Sequence, residues 1–311
     1  MAETDVRGRF LWHELMTTDV DQAARFYPKV ISWKTQPWPQ DKSYTMWMTD
    51  RGPVGGLMTL PGEAAAQGAP PNWLLYIGAA NVDETVDVAR RLGAQVLRAA
   101  HDIATVGRFA VLADPQGATF AVFAPSSPST SLEAATRNGE FSWHELAADD
   151  GEAALRFYQE LFGWELMTRM NMGPMGFYNI FGWKGVQRGG IYSKPKDRPQ
   201  PSQWVCYAQV ASADAAAAVA KSAGAKVISG PMEVPGGSRI AMLIDPQGAA
   251  FAVHSPAAQA QPATPKAKAK PKRTVAKRVA RPAKRAAKAA KKAPAGRAPK
   301  RKAKRSARRK K

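Results

Sequence analysis

Trp12-His13-Glu14-Leu15 occurs a second time in this chain, as Trp143-His144-Glu145-Leu146, 131 residues further on. The same offset holds outward from that tetrad. Arg25-Phe26-Tyr27 returns as Arg156-Phe157-Tyr158, and Trp33 returns as Trp164. Trp73 and Tyr76 return as Trp204 and Tyr207, and Gly93-Ala94 as Gly224-Ala225. Asp114-Pro115-Gln116-Gly117 returns as Asp245-Pro246-Gln247-Gly248, with Phe-Ala-Val following in both copies. A spacing kept over so long a stretch is the signature of a duplicated unit. The chain therefore divides into repeats at 8–125 and 139–256. The Ser-, Pro- and Thr-rich stretch 126–138 reads as a linker between them.

Within each repeat the residue pattern predicts an α+β unit. Residues 8–17 read as a strand, and Asp19 is placed to cap a helix, with Gln22 three residues on for a capping box. Ala23, Phe26, Tyr27, Val30 and Ile31 form one apolar helical stripe. Ala154, Phe157, Tyr158, Leu161 and Phe162 repeat it. Short strands follow to Leu60, and a Pro/Gly loop covers 61–71. The cycle then restarts with a strand at 73–79, a helix at 82–92 and strands near 94–98, 107–113 and 118–124. Asp-Pro-Gln-Gly suits a tight turn, with Pro preset at its second position and Gly at its fourth. Each repeat thus holds two βαβββ units. Pro28 lies inside the first helix where Gln159 lies in the second. An interior proline costs about 3 kcal/mol, which predicts a helix that kinks or ends early.

Charge separates a further segment. Of 311 residues, 45 are Lys or Arg and 25 are Asp or Glu, a formal charge of +20. Residues 257–311 carry 23 of the basic residues and no acidic one, leaving 22 basic against 25 acidic elsewhere. A uniformly basic nucleic-acid-binding fold is excluded. The segment contains no Leu, Ile, Phe, Trp, Tyr or Met, so it has nothing with which to build a core and is expected to be disordered. Its alternating Lys, Ala and Pro resemble the tails of linker histones and lysine-rich nucleoid proteins. Its prolines limit helix length, although 283–293 could fold as a helix on a polyanion. The expected partner is nucleic acid, DNA bound without sequence preference, through phosphate contacts. The residues carrying that contact are Lys266, Lys268, Lys270, Lys272, Arg273, Lys277, Arg278, Arg281, Lys284, Arg285, Lys288, Lys291, Lys292, Arg297, Lys300, Arg301, Lys302, Lys304, Arg305, Arg308, Arg309, Lys310 and Lys311. A single cysteine, Cys206, excludes a disulfide framework. No apolar run reaches the ~20 residues of a membrane span, and Met1–Phe10 lacks the core of a secretory signal. A cytoplasmic protein associated with the nucleoid is expected, with no membrane partner.

The order of elements, the Trp-x-Glu-Leu…Asp…Ala…Phe-Tyr openings and the closing Asp-Pro-x-Gly turns resemble the vicinal oxygen chelate superfamily. That group includes glyoxalase I, bleomycin-resistance proteins and extradiol dioxygenases. The likeness covers residues 8–256 and is closest to tandem glyoxalase-like proteins that open on Trp. It implies that paired βαβββ units curl into a cupped mixed sheet around a pocket. It also implies where metal ligands would stand: Trp12, Leu74 and Ala121 in the first repeat, and Trp143, Val205 and Ala252 in the second. A further position falls near Gly55-Gly56 and Gly189-Gly190. None of these side chains donates a lone pair to a divalent ion, so no metal and no cofactor is expected.

Strand alternation places Glu14 with Trp12, and Glu145 with Trp143, on the pocket face. Each carboxylate could bind a cationic or hydroxylated ligand, or act as a base if burial raised its pKa. The other reading is an ordinary solvated or ion-paired strand residue, with Arg108 or Arg239 as the partner. Trp12, Tyr44, Trp47, Trp143, Tyr178 and Trp204 are candidate ligand walls, and core packing is the competing role. His254 shares the parity of Ala252 and is the candidate acid or base; its counterpart in the first repeat is Phe123. His13 and His144 point the other way, under the helix, and Cys206 reads as an inert buried thiol. The expected pocket is therefore Trp12, Glu14, Trp47, Trp143, Glu145, Tyr178 and His254, with Glu14, Glu145 and His254 as catalytic candidates. Three functions follow. The first is a metal-free small-molecule-binding protein tethered to nucleic acid by its tail. The second is a lyase, isomerase or dioxygenase of the superfamily with an unrecognised active site. The third is a nucleoid-associated protein whose body serves partner binding.

Overall fold

Alternation of apolar residues sets the strands, and the computed structural model assembles them into two eight-stranded sheets. It describes residues 6–127, 136–197 and 200–257. The first repeat runs β1 (Phe10–Thr17), α1 (Val20–Ile31), β2 (Lys34–Trp38), β3 (Asp41–Thr49), β4 (Gly52–Thr59), α2 (Gly62–Ala66), β5 (Asn72–Gly78), α3 (Val82–Arg91), β6 (Gln95–Ile103), β7 (Gly107–Ala113) and β8 (Thr119–Pro125). The second runs β9 (Phe141–Ala148), α4 (Gly151–Phe162), β10 (Glu165–Asn171), β11 (Phe177–Trp183), β12 (Val186–Ser193), β13 (Gln203–Gln209), α5 (Ala213–Ser222), β14 (Lys226–Glu233), β15 (Arg239–Ile244) and β16 (Ala250–Ser255). The sheet orders are β2-β3-β4-β1-β5-β8-β7-β6 and β10-β11-β12-β9-β13-β16-β15-β14. Each is two βαβββ units joined edge to edge, with β1 parallel to β4 and antiparallel to β5. Among the described residues, no helix is long and apolar enough to cross a membrane. The basic stretch from Ala258 onward, with its 23 candidate phosphate contacts, lies outside the described residues.

Three local expectations are revised. The expected loop 61–71 contains the five-residue helix α2. The helix with Pro28 does not end early: α1 has twelve residues, as α4 does, and both close on a left-handed residue, Ser32 and Gly163. Phe26, Tyr27, Val30 and Ile31 are all buried around the proline. At ~1.5–3 kcal/mol for each large apolar side chain, their burial outweighs the lost backbone bond. The capping box is also completed differently. Asp19 accepts from the Gln22 N–H at 2.8 Å, yet the Asp19 N–H is taken by Gln247 Oε1 of the second repeat.

That capping contact is one of a reciprocal set that joins the repeats. Gln247 donates back to the Asp19 carbonyl at 2.8 Å. Gln116 treats Asp150 alike, accepting from its N–H at 2.6 Å and donating to its carbonyl at 2.9 Å. Tyr27 donates to Asp245 at 2.9 Å, and Tyr158 to Asp114 at 3.1 Å. Trp33 donates to the Gly139 carbonyl, and Trp164 to the Gly8 carbonyl. On the pseudo-twofold axis His13 Nε2 and His144 Nε2 stand 2.7 Å apart. Phe141 stacks on His13 at 3.7 Å and Phe10 on His144 at 3.6 Å. One continuous core runs through both helix-side faces, and the described residues form one compact unit. The two repeats are therefore not independent bodies on a string. Their concave faces point away from the shared core, each with its own small apolar cluster.

Candidate functional site

The concave face of each sheet is set by strand parity and by one bulge. Register slips between Phe10 and Trp12, and between Phe141 and Trp143, so that Phe10 and Phe141 face the core while Trp12 and Trp143 face the cup. A bulge re-aims a side chain in this way. From there alternation resumes, and Glu14 follows Trp12 into the cup while His13 and Leu15 join the core.

In the first cup Glu14 is 6% exposed. Tyr76 donates to its Oε2 at 2.7 Å, and Tyr44 donates to it as well. Trp12 Nε1 donates to the Tyr44 hydroxyl at 2.9 Å, which turns the Tyr44 proton toward the carboxylate. The second cup repeats this chain. Tyr178 and Tyr207 donate to Glu145 at 2.8 and 3.0 Å, and Trp143 Nε1 donates to Tyr178 at 2.9 Å. Burial pushes the Glu14 carboxyl up, against the pull of Tyr44, Tyr76 and the Arg98 charge. Burial also raises Glu145, opposed by Tyr178 and Tyr207. All four tyrosines are pushed above their ordinary value by burial and by the adjacent carboxylate, so they keep their protons.

Glycine makes room for this. A Cβ on Gly56 would sit 1.8 Å from the Tyr44 hydroxyl, and one on Gly190 would sit 2.1 Å from Tyr178 Cζ. Tyr44 and Tyr178 lie across the bare strand to reach the glutamate beyond it. The second copy stands 134 residues on at this point, because its β10–β11 connection is longer and carries a 3-10 turn at Gly173–Met175. The shorter link before β13 restores the offset.

The cups thus bring together Trp12 with Glu14, and Trp143 and Tyr178 with Glu145. Trp47 does not join them: it is fully buried on the helix side against Tyr27, Trp33 and Trp73. Trp204 packs likewise against Tyr158 and Trp164. The ion-paired reading of the glutamates fails, since Arg108 pairs with Asp83 and Asp102, and Arg239 with Asp214. His254 stands opposite Ile240 on the second cup's face, and its Nδ1 lies 3.0 Å from Ser142 Oγ. Burial lowers its pKa. Burial raises the Cys206 thiol, which stays protonated in the core. Tyr76 and Tyr207 are the residues that sequence reasoning missed. Their signal was their parity with Leu74 and Val205 on β5 and β13.

Two clefts, of about 450 and 440 Å³, open at the seams between repeats rather than in the cups. Their charged members are all surface-exposed, so neither offers a converging set of buried polar groups.

Two family models match this architecture: the glyoxalase-like domain over residues 13–123, and the glyoxalase/bleomycin resistance protein/dioxygenase superfamily over residues 140–253. The chain belongs to that superfamily. It is 33% identical over 258 residues to "Putative glyoxylase CFP32" of Mycobacterium tuberculosis, covering 80% of this chain and 95% of the relative. It is 28% identical over 266 residues to the anthracycline biosynthesis protein DnrV of Streptomyces peucetius, covering 79% and 92%. Among solved structures, the fold is similar to a Mn(II)-bound glyoxalase from Novosphingobium aromaticivorans, with a TM-score of 0.55 and 16% identity over 80% of this chain and 82% of that one. It is also similar to a homoprotocatechuate 2,3-dioxygenase variant from B. fuscum, with a TM-score of 0.58 and 13% identity over 85% and 76%.

A metal such as the Mn(II) of that glyoxalase does not fit the residues present here. Each cup offers one carboxylate, already engaged by two tyrosines. Among the described residues no three His, Cys, Asp or Glu side chains converge as a metal set. A transition-metal site needs three or four such donors about one ion.

Proposed function

We propose that the protein is a small-molecule-binding member of its superfamily, with one ligand site in each cup. The observation that carries this reading is the Trp–Tyr–Glu–Tyr chain, kept in both repeats at a cost in buried charge. A carboxylate in an apolar wall would be expensive unless hydrogen-bonded, and the sequence gives up a Cβ at Gly56 and Gly190 to admit one of its two tyrosine donors. Each glutamate keeps lone-pair capacity for a ligand hydroxyl or amine, beside an apolar wall that excludes water. A fragment screen of the full-length protein by ligand-observed NMR tests this. Hits lost in the Glu14→Gln/Glu145→Gln double variant support it. No hits, or hits indifferent to both substitutions, refute it.

The raised pKa of the glutamates favours a second reading, metal-independent proton transfer with Glu14 or Glu145 as the base. Turnover abolished by Glu→Gln, with ligand affinity retained, separates catalysis from binding alone.

The basic segment 257–311 is proposed to tether the body to nucleic acid. What supports this is charge: 23 cations on a segment without acidic residues, beside a body carrying a small net negative charge. With about a third of the cations on phosphates, log K falls against log salt with a slope of roughly −6 to −7. Titration of full-length protein and of a chain ending at Pro256, at several salt concentrations, tests it. Affinity retained by the shorter chain, or a flat salt dependence, refutes it.

A further inference from the structure

Duplication makes each cup a control for the other, and the two differ at their rims. Residues directly opposite in an antiparallel pair share a face. On β6, Arg98 stands opposite Val111 and His101 opposite Phe109, and both partners line the first cup. Arg98 and His101 therefore present themselves on the cup face. The Arg98 guanidinium lies over the Phe109 ring, 5.5 Å from its centroid, and the His101 ring lies 4.0 Å from the same ring. In the second repeat the corresponding places are held by Ser229, opposite Met242, and Met232, opposite Ile240, which line the second cup. Phe109 itself is replaced there by Ile240.

Arg98 is not explained by Glu14. It makes no ion pair within 4.0 Å with any described residue, although its charge is felt at Glu14 and Tyr76. Glu145 is buried and held by two tyrosines in the same way, with serine where Arg98 would be. The carboxylate needs no arginine to be kept in place. An exposed guanidinium resting on a ring keeps its in-plane N–H donors free, and those donors match a carboxylate or phosphate edge.

We propose that the first cup selects an aromatic ligand bearing an anionic group, the ring beside the half-buried Trp12 and the anion on Arg98, and that the second cup takes a neutral ligand. This rests on the reading of the cups as binding sites. The ligand's ring meets Trp12, its hydroxyl reaches toward Glu14, and its anion stays at the wet rim where desolvation costs least.

The test is calorimetric titration of the full-length protein with 4-hydroxybenzoate and with its neutral isostere 4-hydroxybenzamide. The proteins compared are wild type, Arg98→Ser and Ser229→Arg. Arg98 is exposed, so its loss leaves the fold intact. Wild type is expected to prefer the benzoate by roughly tenfold, the worth of a charge-assisted bond. Arg98→Ser is expected to lose that preference, and Ser229→Arg to create it at a second site. Because the basic segment is present in every variant, benzoate held there does not respond to Arg98. Equal affinity for the two probes, a preference that survives Arg98→Ser, or binding of neither probe would each overturn this inference. The underlying reading falls separately, when the fragment screen finds no ligand sensitive to Glu14 and Glu145.

Discussion

Acidification should weaken the seam between the repeats, through His13 and His144. Both rings are buried, with Phe10 and Phe141 stacked on their outer faces. His144 Nδ1 lies 3.2 Å from the Arg188 carbonyl and donates to it, so a neutral His144 carries no proton on Nε2. His13 has the Val54 carbonyl as well as His144 Nε2 for an acceptor, and a neutral ring has one N–H for the two. Protonating both rings would set two imidazolium cations against each other across 2.7 Å. Burial lowers the pKa of His144 from 6.5 to about 3, helped by the Arg188 charge. Burial and His144 lower His13, against the pull of the Val54 carbonyl. A base whose pKa is depressed on folding binds fewer protons folded than unfolded, so its linkage is destabilising as pH falls below the unfolded value. For His144 alone the loss begins near pH 6.5 and grows to roughly 2–3 kcal/mol by pH 4.5, and His13 adds a loss of the same sign. Glu14 and Glu145 act oppositely, because their raised pKa values favour the folded state as they take up protons. Comparison with a His13→Phe/His144→Phe variant removes that contribution, which both proteins share. Urea unfolding followed by tryptophan fluorescence from pH 8 to 4.5 should show wild type losing roughly 2–3 kcal/mol or more relative to the variant. Parallel stability curves would refute the buried, neutral state of the two rings.

Gly56→Ala should displace Tyr44 and break its bonds to Trp12 and Glu14, costing about 2–3 kcal/mol in the same assay. Gly62→Ala, where an added Cβ meets nothing within 4 Å, serves as the neutral control. A Gly56→Ala protein as stable as the control would remove the argument that glycine is there to admit the tyrosine. Gln116→Ala and Gln247→Ala should each cost about 1 kcal/mol, as a lost helix cap does. A much smaller loss in either would mean that water replaces the glutamine at that N-cap.

The sequence by itself determined the duplication, the α+β units, the approximate bounds of most elements and the cup faces of Glu14 and Glu145. These are local matters: a constant offset, a period of two along strands, a period near 3.6 along helices. Tertiary structure alone decided the rest. Trp47 and Trp204 look like Trp12 and Trp143 in the sequence, but which aromatic meets ligand and which meets core depends on the face a strand presents after pairing. The bulges at Leu11 and Ser142 reverse that face without any mark in composition. Pro28 was read as ending or kinking its helix, whereas the helix runs on through residues packed against the far repeat. The partners of Glu14 could not be read either. Tyr76 and Tyr44 are 62 and 30 residues away along the chain, and only the closing of β3, β4, β1 and β5 into one curved sheet makes them neighbours.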